Sequence, residues 1–301
     1  MTLVEQGFFV KHFSTILMSV AVLAVSAACQ SQPELPLLTN TAPTPSPTLG
    51  EIGADTFSFE RVEKINIKNL SGIVFHPQRK TLFGVGDEGH IIEFEPDGTL
   101  LQQEPVRRGA DFEGITCDPA TGLLYVAVEG DEVILEVEPD NLQVLRDIAI
   151  DRVFDGQVLL DPKGDGIEGI TFVPDSASAM GGVFYLVNQS KELGGRDPSI
   201  IFKVEIADLA GEPQAKIVHY FALGVTDLSG IHYDPSARQL IVISDDNDQL
   251  SRVSLSGQIS HTYRLPGDKQ EGVTIDEHGF LYIAQDSEKG LLKFTPSEPA
   301  F

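Results

Sequence analysis

The chain has 301 residues, 42% of them hydrophobic, enough for one large domain or two small ones and for a sizeable core. Its 45 acidic side chains against 21 basic ones leave a formal charge of −24. Such a balance argues against nucleic acid, whose phosphates need Lys and Arg, and against adhesion to anionic head groups; cations are the natural partners, although the same acidity also keeps an exported protein soluble.

The first 29 residues predict an export signal of the lipoprotein type. Residues 13–28 are apolar and small, too short and too sharply ended for a spanning helix. They close on Ser26-Ala27-Ala28-Cys29, small residues before a cysteine whose thiol would take a diacylglyceryl group. The segment departs from the usual lipobox in placing Ser26 three residues before the cysteine, and its leading region is only weakly basic, with Lys11 set against Glu5. Plain secretion with cleavage near Ala28, or an uncleaved anchor, are the alternatives. Residues 30–56 carry Pro33, Pro36, Pro43, Pro45 and Pro47 among Thr and Ser, a composition that buries too little to fold. They read as a disordered tether reaching roughly 80 Å when extended. The other cysteine, Cys117, is expected to be a buried, inert thiol rather than a disulfide partner.

From residue 57 to 301 one unit recurs five times. Its first line reads Leu70-Ser71-Gly72-Ile73, Phe112-Glu113-Gly114-Ile115, Ile167-Glu168-Gly169-Ile170, Leu228-Ser229-Gly230-Ile231 and Gln270-Glu271-Gly272-Val273. Each line predicts a strand, and a second apolar strand follows, as in Leu82-Phe83-Gly84-Val85 and Leu124-Tyr125-Val126-Ala127. A third strand, such as Ile91 to Phe94, and a more polar fourth, such as Leu100 to Val106, complete the unit. The pattern predicts an all-β fold, a five-bladed β-propeller of four-stranded antiparallel blades, with six blades as the alternative. The longer repeats hold insertions around Asp155 to Gly166 and Ser190 to Pro198. The run Arg61 to Ile67 has no blade of its own and is expected to supply the outer strand of the last blade, which otherwise stops at Leu291-Leu292-Lys293-Phe294.

In a propeller the start of the first strand and the end of the second lie at one mouth of the channel. That gathers Ser71, Glu113, Glu168, Ser229 and Glu271 in one ring and Asp87, Glu129, Gln189, Asp245 and Asp286 in a neighbouring one. Seven of these are carboxylates: Glu113, Glu168, Glu271, Asp87, Glu129, Asp245 and Asp286. Their mutual repulsion calls for compensation, and an all-oxygen donor set favours a hard divalent cation, Ca2+ foremost. The structural alternative is that Ser and Glu cap strands through backbone N–H groups. Asp161 to Gly166 begins like an EF-hand loop, but Phe172 stands where its acidic twelfth residue belongs. The seven histidines show no zinc spacing, and His76 and His232 read as structural.

The lines Asn69 to Ile73, Asp111 to Ile115 and Gly166 to Ile170 resemble the SdiA-regulated (YjiK-like) family of bacterial propellers, and the resemblance spans about residues 57–296. It implies a membrane-associated, extracytoplasmic propeller, is compatible with bound calcium, and supplies no catalytic residues. Phytase-like proteins and calcium-dependent lactonases share looser versions of the pattern. The function expected is therefore a lipid-anchored envelope protein, monomeric, binding a small-molecule or protein ligand at an acidic, calcium-holding mouth. The alternatives are a calcium-dependent hydrolase of phosphoesters or lactones with Glu168 as general base, and a glycosidase. The few loop cations, Lys191, Arg196 and Lys289, weaken the phosphoester reading. Replacing Cys29 with Ser is expected to abolish labelling by radioactive palmitate and to release the domain or leave an unprocessed precursor; unchanged labelling would refute lipidation.

Overall fold

In the computed structural model the described residues are 59–161, 166–194, 198–209, 212–266, 269–286 and 290–296. The expected leader, Cys29 and the tether lie outside them, as do most of Asp161 to Gly166, Arg196 and Lys289.

Among the described residues, every regular element is a strand. The strand β1 (Phe59–Ile65) comes first. Four follow in meander order: β2 (Gly72–His76), β3 (Thr81–Gly86), β4 (His90–Phe94) and β5 (Leu100–Pro105). The pattern repeats in β6 (Asp111–Cys117), β7 (Leu124–Glu129), β8 (Val133–Val137) and β9 (Val144–Asp151). A hairpin, β10 (Val153–Phe154) and β11 (Gln157–Val158), turns on Asp155 and Gly156, both at positive φ, as a two-residue turn demands. The third unit is β12 (Ile167–Pro174), β13 (Gly182–Asn188), β14 (Ile201–Leu209) and β15 (Glu212–Phe221); the fourth is β16 (Leu228–Asp234), β17 (Gln239–Ser244), β18 (Gln249–Ser254) and β19 (Ile259–Arg264). The fifth has three strands of its own, β20 (Gln270–Ile275), β21 (Leu281–Gln285) and β22 (Leu291–Pro296), and β1 pairs antiparallel with β22 as the fourth. The terminal clasp thus begins two residues earlier than the sequence suggested. Neither insertion holds a further four-stranded unit among the described residues.

The first strands touch in cyclic order, β2 to β6, β6 to β12, β12 to β16, β16 to β20 and β20 back to β2. Buried clusters fill the wedges between neighbouring units: Phe83 and Phe112 between the first two, Tyr125 and Phe184 between the next, and Ile65, Phe94 and Tyr282 where the last meets the first. Each fully buried aromatic or aliphatic side chain contributes about 1.5–3 kcal/mol. The β-branched and aromatic second strands suit this two-sided burial.

Closure at the axis depends on five glycines. A Cβ on Gly72 would lie 2.8 Å from the Glu113 carbonyl oxygen, one on Gly114 2.8 Å from the Ile170 nitrogen, and one on Gly272 2.9 Å from the Ile73 nitrogen. Those on Gly169 and Gly230 would meet the Ile231 nitrogen and the Glu271 carbonyl. Each glycine therefore abuts the backbone of the next unit, and the fifth abuts the first. Farther along the same strands, threonine hydroxyls accept backbone amides across the joints: Phe172 N–H to Thr116 at 3.0 Å, Tyr233 N–H to Thr171 at 2.9 Å and Phe75 N–H to Thr274 at 3.0 Å. These bonds satisfy amides on the free inner edges of three of the five units.

One pairing was not foreseen. The outer strands β9 and β15 run parallel, with Gln214 opposite Ala149 and Lys216 opposite Asp151, and fuse the second and third units into one eight-stranded sheet. The pairing covers two edges that would otherwise face solvent.

Gly114→Ala is expected to cost at least the 1–3 kcal/mol typical of overpacking, because the obstructing atoms are backbone. Gly194→Ala, whose Cβ would meet open space, is expected to change stability by less than about 0.5 kcal/mol. Urea denaturation of the two variants checks the contrast, and equal midpoints would refute the requirement for close approach.

Candidate metal centre at the acidic mouth

The repeat line aims its Ser or Glu by a β-bulge. The register slips between Phe112 and Gly114, Ile167 and Gly169, Leu228 and Gly230, and Gln270 and Val273. The extra residue in each slip carries Glu113, Glu168, Ser229 or Glu271, and bulges of this kind redirect a side chain. With Ser71, these residues line a channel cavity of only about 10 Å3, room for one ion or one water.

The seven predicted carboxylates divide into two groups. Asp87, Glu113 and a residue the sequence reading did not single out, Asp111, each offer an oxygen, and the three oxygens lie within 4.8 Å of one another. Ser71 donates its hydroxyl to Asp87 at 2.9 Å and so fixes that side chain. Glu168 lies in hydrogen-bonding contact with Glu113. Glu271 instead sits beside Asp245, Asp286 and the buried Asp227. Glu129 and Asp245 have part of their capacity committed: Glu129 accepts the Gly166 amide at 3.1 Å, and Asp245 the Gln270 amide at 2.8 Å. Ser229 donates to the Gln270 carbonyl at 2.6 Å, a bond across the joint that differs from the expected capping through backbone N–H groups. Asp111 was legible in principle, because Asp111-Phe112-Glu113 alternates and opens the same strand. Asp227 was not, since its loop meets the site only in the folded chain.

The electrostatics follow from this crowding. Burial, then the charges of Glu168, Asp111 and Asp87, hold the Glu113 carboxyl far above its ordinary range. Burial, then Glu129 and Glu271, raise Glu168, while contact with Glu113 pulls the other way. Burial, then Asp245, Asp227 and Asp286, push Glu271 up to about 7, with Lys269 opposing. Burial also raises Asp245. Two carboxyls in hydrogen-bonding contact cannot both be ionised without a compensating charge. One such charge is present on the flank: Lys191 reaches Asp227 at 2.7 Å and Asp246 at 3.1 Å. At the centre, Oε2 of Glu271 and Oδ1 of Asp111 are buried with no hydrogen-bond partner among the described residues, and Glu271 is only 8% exposed. Oxygen donors alone, negatively charged and partly unsatisfied, match a hard cation.

Repeated four-stranded sheets whose first strands ring a channel define a β-propeller. The SdiA-regulated family model matches residues 57–289, and the chain belongs to that family. Among solved structures, the glutaminyl cyclase of Myxococcus xanthus aligns with a TM-score of 0.53 at 11% identity, over 79% of this chain and 95% of that one. The Cps50 (Swd1) β-propeller domain of Myceliophteria thermophila aligns with a TM-score of 0.46 at 10% identity, over 78% of this chain and 98% of that one. At 11% identity the likeness to the cyclase concerns the fold and not the chemistry.

The raised carboxyls give stability a defined slope with pH. A group whose folded pKa exceeds its unfolded value stabilises fully below the unfolded value and loses that contribution as pH rises through the folded one. For Glu271 the window runs from 4.5 to about 7, worth on the order of 3 kcal/mol. In chelator, Glu271→Gln is therefore expected to lose less stability than wild type between pH 4.5 and 7.5 in urea melts. Parallel pH profiles would refute this reading.

Proposed function

We propose that this SdiA-regulated protein is a five-bladed propeller, lipid-anchored in the cell envelope, whose acidic mouth binds calcium and, through that ion, a ligand or partner. The single observation that carries the reading is the convergence of Asp87, Asp111 and Glu113, with oxygens within 4.8 Å of one another. Two ligands on one calcium ion can stand about 5 Å apart. The unpartnered oxygens of Asp111 and Glu271 support it, because a cation would relieve both their lost hydration and the repulsion around them. Calcium at this mouth would supply a fixed positive charge and open coordination positions. The chain's own residues would hold it: Asp87 anchored by Ser71, Asp111 and Glu113 at the strand opening, and Glu168 behind Glu113. The narrow channel leaves space for an ion but not for a substrate beyond it, so any ligand approaches from outside. The hydrolase alternative would use the same ion against an ester or phosphoester oxygen, and no feature of the described residues favours it over binding.

Calcium and protons compete for the same carboxyls, which fixes the sign of the test. Binding is expected to release protons and to be tighter at pH 8 than at pH 5.5. Calorimetry of chelator-stripped protein in two buffers of different ionisation heat reads both effects. A hundredfold excess of calcium over Kd is expected to add about 2.7 kcal/mol of stability. Glu113→Gln should reduce this response while leaving the calcium-free protein folded. Absence of calcium binding by wild type would overturn the reading and leave the carboxyls protonated and structural; turnover of an ester, lactone or phosphoester by the calcium-loaded protein would transfer support to the hydrolase.

A further inference from the structure

The inner strands end, at the mouth away from the carboxylates, in a second cavity of about 400 Å3. That volume lies within the range of small-molecule sites. Its wall is apolar, with Val74, Phe75, Phe172 and Ile275 among the residues lining it. The polar groups facing it have an unusual common property. Thr116 and Thr171 each accept a backbone amide across a blade joint, which uses an oxygen lone pair and leaves the hydroxyl hydrogen to donate. Neither hydroxyl has an acceptor among the described residues. His232 occupies the repeat position that Thr116, Thr171 and Thr274 fill elsewhere, and its ring makes no hydrogen bond among the described residues. Burial holds that imidazole neutral, with a pKa near 4, and the Asp234 charge only partly opposes the shift. The ring therefore brings one donor and one acceptor to the cavity.

The carboxylates lining it, Asp234 and Asp276 among them, are largely engaged. Asp234 accepts through Oδ1 from the Ser236 amide and hydroxyl while its buried Oδ2 faces the Arg252 guanidinium at 3.6 Å, and Asp276 accepts from the His278 and Phe280 amides and the Tyr282 hydroxyl. They repel an anion, and the one carboxylate oxygen of this pair left without a hydrogen bond among the described residues, Oδ2 of Asp234, is buried beside the positive charge of Arg252, which disfavours a cation there. What remains is an apolar pocket whose base carries donors in want of an acceptor. We propose that this pocket binds a small, uncharged, mostly apolar molecule whose polar end is a carbonyl-type acceptor, received by Thr116, Thr171 and His232. The site is separate from the acidic mouth and does not depend on a metal there.

The probe that tests this is prodan, a neutral naphthyl ketone whose emission shifts to the blue in apolar surroundings. Titrated with the full chain, it is expected to show a saturable blue shift. His232→Leu, which keeps bulk and removes both ring nitrogens, should bind about three- to tenfold more weakly, the effect of one lost hydrogen bond. Ile275→Trp, which fills the cavity, should abolish the saturable component, and Ser236→Trp at the rim serves the same purpose if Ile275→Trp misfolds by circular dichroism. The anionic dye anilinonaphthalene sulfonate should bind at least tenfold more weakly than prodan. Absence of a saturable shift, equal binding by wild type and the folded filled variant, undiminished binding by His232→Leu, or equal affinity for the anion would each overturn the proposal.

Discussion

The distance between neighbouring inner strands is the constraint on which the rest of this structure depends. At Gly72, Gly114, Gly169, Gly230 and Gly272 one backbone lies against the next with no space for a Cβ. That contact brings the hydrophobic wedges together and keeps the channel down to the volume of a single water. It also determines what precedes each glycine. The bulge that lets the strand enter the ring turns the preceding residue toward the axis, so the position can only hold a group that tolerates confinement beside four equivalents. Serine meets that condition by hydrogen bonding, as Ser229 does to the Gln270 carbonyl. Glutamate meets it only with a proton or a cation.

The ring is consequently uneven. Glu113 and Glu168 are neighbours and share the burden with Asp111, whereas Glu271 stands across the ring among Asp245, Asp227 and Asp286. On the Glu271 side Lys191 and Lys269 offset part of the negative charge; the Asp87–Asp111–Glu113 side is the more complete donor set. The opposite end of the same five strands follows a different logic. There three threonine hydroxyls accept amides across the joints and keep a hydrogen to donate, while Val74 and His232 stand at the threonine position in the other two units. A single strand thus presents a carboxyl at one end and a neutral donor at the other, and the two mouths differ in chemistry because the repeat is polar along its length.

The propeller was legible because its governing signals are local and repeated: the Glu-Gly-Ile line, the buried second strand such as Leu124 to Ala127, and the unpaired run near Val62 that had to belong elsewhere. Glu113, Glu168 and Glu271 were legible for the same reason, since equivalent repeat positions must converge. Asp111 was passed over because the repeat line starts one residue later, and Asp227 because a loop residue carries no periodicity. The parallel pairing of β9 with β15 depends on how two outer strands lean after closure, which no pattern within either strand encodes. The pocket at the second mouth escaped notice because its walls are ordinary strand residues, and His232 and Cys117 each looked structural when read alone.

The clasp has a kinetic consequence. Phe59 lies opposite Pro296 and Ile65 opposite Leu291, so the first strand of the domain has no partner until the last has been made. Four units can assemble from neighbouring segments, but the ring stays open through most of synthesis. Such long-range pairing is slow, because a nearly full-length loop must be closed before any contact rewards it. Until then the face of the fifth unit that meets the first, with Tyr282, Ala284 and Leu291, is exposed and prone to association. A chain shortened by one strand at either end would keep nearly all of its sequence and still be unable to complete the ring, which makes the two ends of this domain the natural points of quality control on folding.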